Sequence, residues 1–193
     1  MGKIADYTFT DLIRKTGFIL YLKINLIPVF FRKCRFFFYT RCWPSYLGKR
    51  VIILRVDNKM TMGSGGAIYS NVILEIGENA VFTVGKNFTI SYGSIIVCNA
   101  SIQVGDHVMI GEYTSIRDTS HSYENSGIPF SKQADKSIPI IIGNNVWIGR
   151  GCIIMPGTII ADNVIVGANS VVKGQLETNS VYAGSLAVKI RAI

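Results

Sequence analysis

The chain has 193 residues and a formal net charge of +8, with 49% hydrophobic and 17% charged residues. That apolar content excludes a disordered chain and suits one domain with a small appendage. Glycine is plentiful at 19 and proline scarce at 5, which points to repeated tight corners rather than a flexible or collagen-like chain.

The charge is unevenly placed. Residues 1–55 hold eleven Lys and Arg against Asp6 and Asp11, while residues 56–193 hold nine basic and ten acidic residues. The N-terminal quarter is therefore suited to meet something anionic, such as a membrane surface, a lipid-linked glycan or an acidic polysaccharide. Nucleic acid is not expected, because no nucleic-acid-binding motif accompanies the charge. Cys34, Cys42, Cys98 and Cys152 fit neither a disulfide framework nor a zinc site, and read as reduced packing residues of a cytoplasmic protein.

The start of the chain does not read as a cleaved signal peptide, since Asp6 and Asp11 stand where a basic segment should be. Phe18–Phe31 is apolar, but Lys23, Asn25 and Pro28 break it, and it is too short to span a bilayer. Asp11 is expected to cap a helix with Leu12, Ile13, Phe18, Ile19 and Leu22 at roughly helical spacing, and Pro28 to end or kink it. From Phe30 to Tyr39 aromatics interleave with Arg32, Lys33 and Arg35. This segment suits an amphipathic element lying on a membrane, with residues 1–50 touching its inner face. It also suits a helical cap on the end of the main domain, the reading preferred because solenoid ends need caps.

From about residue 56 apolar residues recur every six positions. The clearest run is Ile142, Ile148, Ile154, Ile160, Val166 and Val172, with a small or β-branched residue at each fifth position: Val146, Cys152, Thr158, Val164 and Ser170. Looser sets are Val84, Ile90, Ile96 and Val104, Ile110, Ile116, with steps of eight from Ile76 to Val84 and from Ile96 to Val104. Each hexad is a short strand plus a turn, and three close one triangular coil. The first residue stacks on its equivalents in the coils above and below, the fifth must be small, and Gly or Asn occupies corners that require positive φ. A period this short indicates a parallel β-helix rather than a β-sandwich.

One segment, residues 118–137, breaks the coils and carries Asp118, Thr119, Ser120, His121, Ser122 and Tyr123 in a polar stretch. A polar loop extruded from a regular solenoid is a natural place for chemistry. The other histidine, His107, falls at a corner position and reads as exposed and structural.

Several motifs together resemble the hexapeptide-repeat acetyltransferases, in the group of galactoside, maltose and bacterial polysaccharide O-acetyltransferases. They are Asn145-Val146-Trp147-Ile148-Gly149, Pro156-Gly157-Thr158, Val166-Gly167-Ala168-Asn169-Ser170-Val171, and Tyr182-Ala183-Gly184 near the end. The resemblance spans roughly residues 60–193. It implies an all-β, left-handed parallel β-helix (residues 56–193) behind a short, partly helical N-terminal extension (residues 1–55). It also implies a homotrimer with its active sites between subunits, acetyl-CoA as co-substrate, no metal, and a carbohydrate acceptor.

In that family the extruded loop carries the catalytic histidine, which here is His121. A sugar hydroxyl is a poor nucleophile until imidazole removes its proton; the alkoxide then attacks the thioester and CoA leaves. The resemblance puts the oxyanion-stabilising backbone N–H at Arg150, and sets Trp147 and Gly149 beside the thioester arm with Ala168 along the pantetheine. Lys173, Lys189 and Arg191 stand near the family's basic positions for the CoA phosphates. The tail departs from the common ending, reading Ala183-Gly184-Ser185-Leu186-Ala187-Val188 before Lys189.

Asp118, three residues before His121, is a candidate to orient its ring, to bind sugar hydroxyls, or to cap the turn. Ser94 and Asn99, one coil earlier, are candidate acceptor contacts. Three competing readings are N-acetylation of a nucleotide-linked amino sugar, a zinc carbonic anhydrase on the same helix, and a scaffold without activity. Two histidines cannot supply the three distinct ligand positions that the second requires.

Overall fold

The computed structural model describes residues 27–54, 60–125 and 127–193. The expected helix from Asp11 to Leu22 lies outside them. The described chain winds as a parallel β-solenoid whose short strands stack into three flat faces.

Three columns of inward side chains form the core. The first face stacks Leu47, Ile68, Ile90, Ile110, Ile148, Val166 and Tyr182 in register. The second stacks Ile53, Leu74, Ile96, Ile116, Ile154 and Val172. The third stacks Met62, Val84, Val104, Ile142, Ile160 and Leu176. Nearly all are buried, which is where the fold's apolar free energy resides, at roughly 1.5–3 kcal/mol per fully buried side chain.

The register shows where the repeat is strict. From the first column to the second the chain always advances six residues, as from Leu47 to Ile53 or Ile148 to Ile154. From the third to the first it again advances six, as from Val84 to Ile90. All variation falls at the corner between the second and third faces. There Ile53 leads to Met62, Leu74 to Val84, Ile96 to Val104, Ile116 to Ile142, Ile154 to Ile160 and Val172 to Leu176, which are steps of 9, 10, 8, 26, 6 and 4. The step expected from Ile76 is corrected by this register. Leu74 holds the column position, and Ile76 is a second buried residue paired with Cys98 in a longer corner.

Strict corners place small residues inside. Between the first and second faces these are Val72, Ser94, Thr114, Cys152 and Ser170, all buried. Their polar groups satisfy turn carbonyls: Ser94 Oγ donates to Gly111 O at 3.0 Å and Thr114 Oγ1 to Gly149 O at 3.0 Å. Asn87, His107, Asn145, Asn163 and Asn179 occupy left-handed backbone at the corner between the third and first faces. His107 is exposed there, as the sequence suggested.

The solenoid begins earlier than residue 56. Tyr46–Leu47 already pairs with Ala67–Ile68, so the first coil draws on residues assigned to the extension. Before it lies helix α1 (Ile27–Thr40), which contains the whole aromatic and basic run. Pro28 sits in its first turn, where a missing N–H costs nothing; the helix that Pro28 was expected to end or kink lies outside the described residues. The helix closes the first coil by burying Phe36 and Thr40, while Arg32 Nη2 donates to Leu47 O and Lys33 Nζ to Ser45 O. At the other end Ser180–Ala183 turns back into the antiparallel strand Val188–Ala192.

All four cysteines are free thiols; Cys42, Cys98 and Cys152 are buried. Burial raises all three, and Cys98 is pushed up to about 12 because the Asp118 carboxylate lies beside it as well.

Candidate active site

The 26-residue step is the excursion that carries His121. It leaves at Asp118 and returns at Ile138, where Ile138 N donates to Asp118 O at 2.7 Å and Gly157 N donates to Ile138 O at 3.1 Å. Inside this neck, Thr119–His121 and Asp135–Ser137 pair as an antiparallel hairpin. At its tip the Gln133 side-chain amide donates to Asn125 O and Ile128 O, both at 2.9 Å.

The hairpin register sets His121 opposite Asp135, and His121 Nδ1 lies 2.6 Å from Asp135 Oδ1. Both side chains are well exposed, at 75% and 50%. A carboxylate this close to Nδ1 leaves Nε2 as the ring nitrogen open to an acceptor hydroxyl. His121 and Asp135 together form a candidate imidazole–carboxylate pair.

Asp118 does not touch His121. It is fully buried, and its carboxylate accepts three backbone N–H bonds from the coil beneath: Asn99 and Ala100 at 2.8 Å and Ser101 at 2.9 Å. Of its three candidate roles, turn capping is the one observed. Residues three apart on extended chain point to opposite sides, so Asp118 turns inward where His121 turns outward. The carboxylate beside His121 is that of Asp135, which the sequence did not single out.

Ser94 is corrected as well. It is buried in the small-residue column and offers an acceptor nothing. Asn99 remains exposed at the variable corner, one coil below the excursion. Gly149 is buried, and a Cβ there would lie 2.7 Å from Ala168 N and 2.9 Å from Val166 O. Its missing side chain lets adjacent coils approach.

Trp147 is half exposed on the outer side of the first face, between Met109 below and Ile165 above. Arg150 and Ala168 are exposed at the corner between the first and second faces, with the Arg150 side chain 3.9 Å from Glu112. Lys173 is exposed at the other, variable corner. Lys189 and Arg191 lie on the terminal strand. Lys189 is held 2.8 Å from Glu177, and this hydrogen bond lowers the carboxyl and raises the lysine. The candidate residues thus divide between edges of the prism. His121, Asp135, Asn99 and Lys173 share one edge, and Arg150 and Ala168 share another. The fold of one chain does not bring the two sets together.

Among the described residues no helix is long and apolar enough to cross a membrane.

Comparison with known proteins gives a consistent picture. Residues 139–174 match the family model of the bacterial transferase hexapeptide (six repeats). The chain is 32% identical over 151 residues to the galactoside O-acetyltransferase of Escherichia coli K12, covering 78% of this chain and 71% of that one. It is 30% identical over 176 residues to the same organism's "Putative lipopolysaccharide biosynthesis O-acetyl transferase WbbJ", covering 87% and 84%. Among solved structures, a galactoside acetyltransferase in complex with coenzyme A superposes with a TM-score of 0.54 at 29% identity, over 74% of this chain and 64% of that one.

Proposed function

The chain belongs to the hexapeptide-repeat acetyltransferases, and from that premise we propose that it carries an acetyl group from acetyl-CoA to a sugar hydroxyl of a bacterial cell-surface polysaccharide or its precursor. The observation that carries this reading is the His121–Asp135 pair, 2.6 Å apart on a hairpin extruded from an otherwise closed solenoid. Similarity over most of its length to a relative named "Putative lipopolysaccharide biosynthesis O-acetyl transferase WbbJ" favours a surface glycan as acceptor.

In the proposed mechanism His121 Nε2 takes the proton of the acceptor hydroxyl as the oxygen attacks the thioester carbonyl. The tetrahedral oxyanion is met by the Arg150 backbone N–H. Collapse expels CoA thiolate, which recovers the proton from the imidazolium. Asp135 holds the ring and balances its charge throughout. Asn99, exposed next to the neck of the loop, is a candidate acceptor contact.

Because His121 and Arg150 lie on different edges, the reading needs a second copy of the chain to join them. A homotrimer meets that need, each His121 edge facing a neighbour's Arg150 edge. Apolar residues on the outer faces supply the contact area: Met109 and Trp147 on the first, Ile95 and Ile153 on the second, Ile141 and Ile159 on the third. In such a groove Trp147 and Ala168 flank the CoA arm, and Lys173 and Arg191 are available to its phosphates, whereas Lys189 is already paired with Glu177.

The test is CoA release from acetyl-CoA with lipid-linked, nucleotide-linked and polymeric glycans, for the native chain and His121→Ala. Acceptor-dependent release that falls by about 10²–10⁴ in the variant is expected. Equal release by both proteins would remove His121 as the base. Transfer confined to an amino-sugar nitrogen would replace the hydroxyl acceptor with an amine.

A further inference from the structure

Helix α1 does more than close the first coil. Its inward side buries Phe36 and Thr40, while Phe31 and Phe38 on its outward side are 66% and 74% exposed. On one flank of this ridge Phe30 and Phe37 pack edge-on against Trp43, with ring centroids 6.0 and 6.4 Å apart, and all three rings stay partly in solvent. So large an aromatic surface is unusual on a water-facing helix.

On the other flank, between α1 and the first coil, lies a cavity of about 350 Å³. Arg32, Arg35 and Arg50 line it together with Tyr39, and among the described residues no carboxylate does. Arg32 is already held by its bond to Leu47 O, and its Nε is buried without a hydrogen-bond partner among the described residues. Three arginines around one cavity with no acid among the described residues, one of them with a buried donor unsatisfied, offer strong N–H groups that a phosphate would satisfy in bidentate fashion.

The aromatic ridge and the arginine cavity are adjacent on one helix. Aromatic rings settle at the level of lipid headgroups, where arginines meet phosphates. We propose that this end of the solenoid docks on an anionic lipid surface, with a lipid phosphate seated among Arg32, Arg35 and Arg50 and the Phe31–Phe38 ridge entering the headgroup layer. Charge complementarity selects this occupant, since residues 1–55 carry eleven basic and only two acidic residues. The inference is independent of the acetyl-transfer reading.

Co-sedimentation of the full chain with vesicles tests it. Binding is expected to vesicles of equal parts phosphatidylglycerol and phosphatidylcholine, and not to phosphatidylcholine alone, and to weaken as salt is raised. Arg35→Gln and Arg50→Gln should each weaken partition about fivefold, the value of roughly one unit of charge near such a surface. Phe31→Ser with Phe38→Ser should weaken binding to the same vesicles while leaving thermal stability unchanged, because neither ring is buried. Equal binding to both vesicle types would overturn the proposal. So would absence of binding to either, which would assign the ridge to residues 1–26 or to a second copy. If inorganic phosphate raises Tm while vesicles are ignored, the cavity is a site for a soluble anion and the lipid proposal fails. Acetyl-transfer activity on a soluble acceptor should be unaffected by the double Phe variant.

Discussion

Removing the Asp118 carboxylate should unseat the excursion without touching His121. In Asp118→Ala three backbone donors, Asn99, Ala100 and Ser101, lose acceptors at 2.8–2.9 Å. Bonds to a charged acceptor are worth about 1.5–3 kcal/mol each, but this carboxylate also bears its own burial cost. Asn99 is exposed and Ala100 and Ser101 are half-buried, so water recovers part of the loss. About 1 kcal/mol per donor, or about 3 kcal/mol in all, is the net expectation. At ~2–4 °C per kcal/mol for a chain of this size, Tm should fall by about 6–12 °C. Asp118→Asn keeps the shape and one acceptor oxygen and should lose roughly half as much. Because the same residue accepts Ile138 N through its carbonyl, the neck should loosen and acetyl transfer should fall in Asp118→Ala, even at temperatures where it stays folded. Calorimetry and initial rates on the two variants test this. A Tm within a degree or two of the native chain's for Asp118→Ala would refute the capping argument. Full loss of activity with stability intact would instead return Asp118 to the chemistry.

Further outcomes follow from the same geometry. Asp135→Ala should lower kcat about tenfold while leaving KM and Tm nearly unchanged, since both partners are exposed and the carboxylate acts only on the imidazole; an unchanged kcat would leave His121 without an orienting partner. Gly149→Ala forces a Cβ to within 2.7 Å of Ala168 N and should cost about 1–3 kcal/mol in urea denaturation, whether or not CoA is present. The Cys98 thiol ionises near 9.0 when unfolded and only at about 12 when folded. Its contribution to stability is therefore complete below pH 9.0 and drains away as the pH rises from there toward 12. Cys98→Ala should flatten the pH dependence of the urea midpoint across that window; identical slopes in the two proteins would contradict it.

The late coils could be read from residues 142–172 alone, because every corner there takes its shortest regular form and the side-chain period matches the coil. The early coils hid their register. Leu74 and Ile76 both point inward in a long corner, and spacing alone selects the wrong one. The first coil escaped notice because its nine-residue step from Ile53 to Met62 breaks the period. At the site, His121 was legible as the histidine of an interrupted solenoid. Asp135 was not, since its place beside the ring depends on how a hairpin closes across fourteen residues. Asp118 looked closer only along the chain. Ser94 looked like a polar group for a substrate, whereas the column it occupies requires a small residue with a hydroxyl to quiet a turn carbonyl. Arg150 and His121 were legible separately, but nothing in one linear sequence says that a prism holds them on separate edges.

A ladder whose two edges never change length while the third takes anything from 4 to 26 residues behaves like a bound book with one fore-edge left uncut. Pages can be added at that margin without disturbing the stitching, because each rung's register is fixed by the two closed edges. Residues 119–137 should therefore be exchangeable as a unit between relatives, with the stacked columns of the interior left as they are.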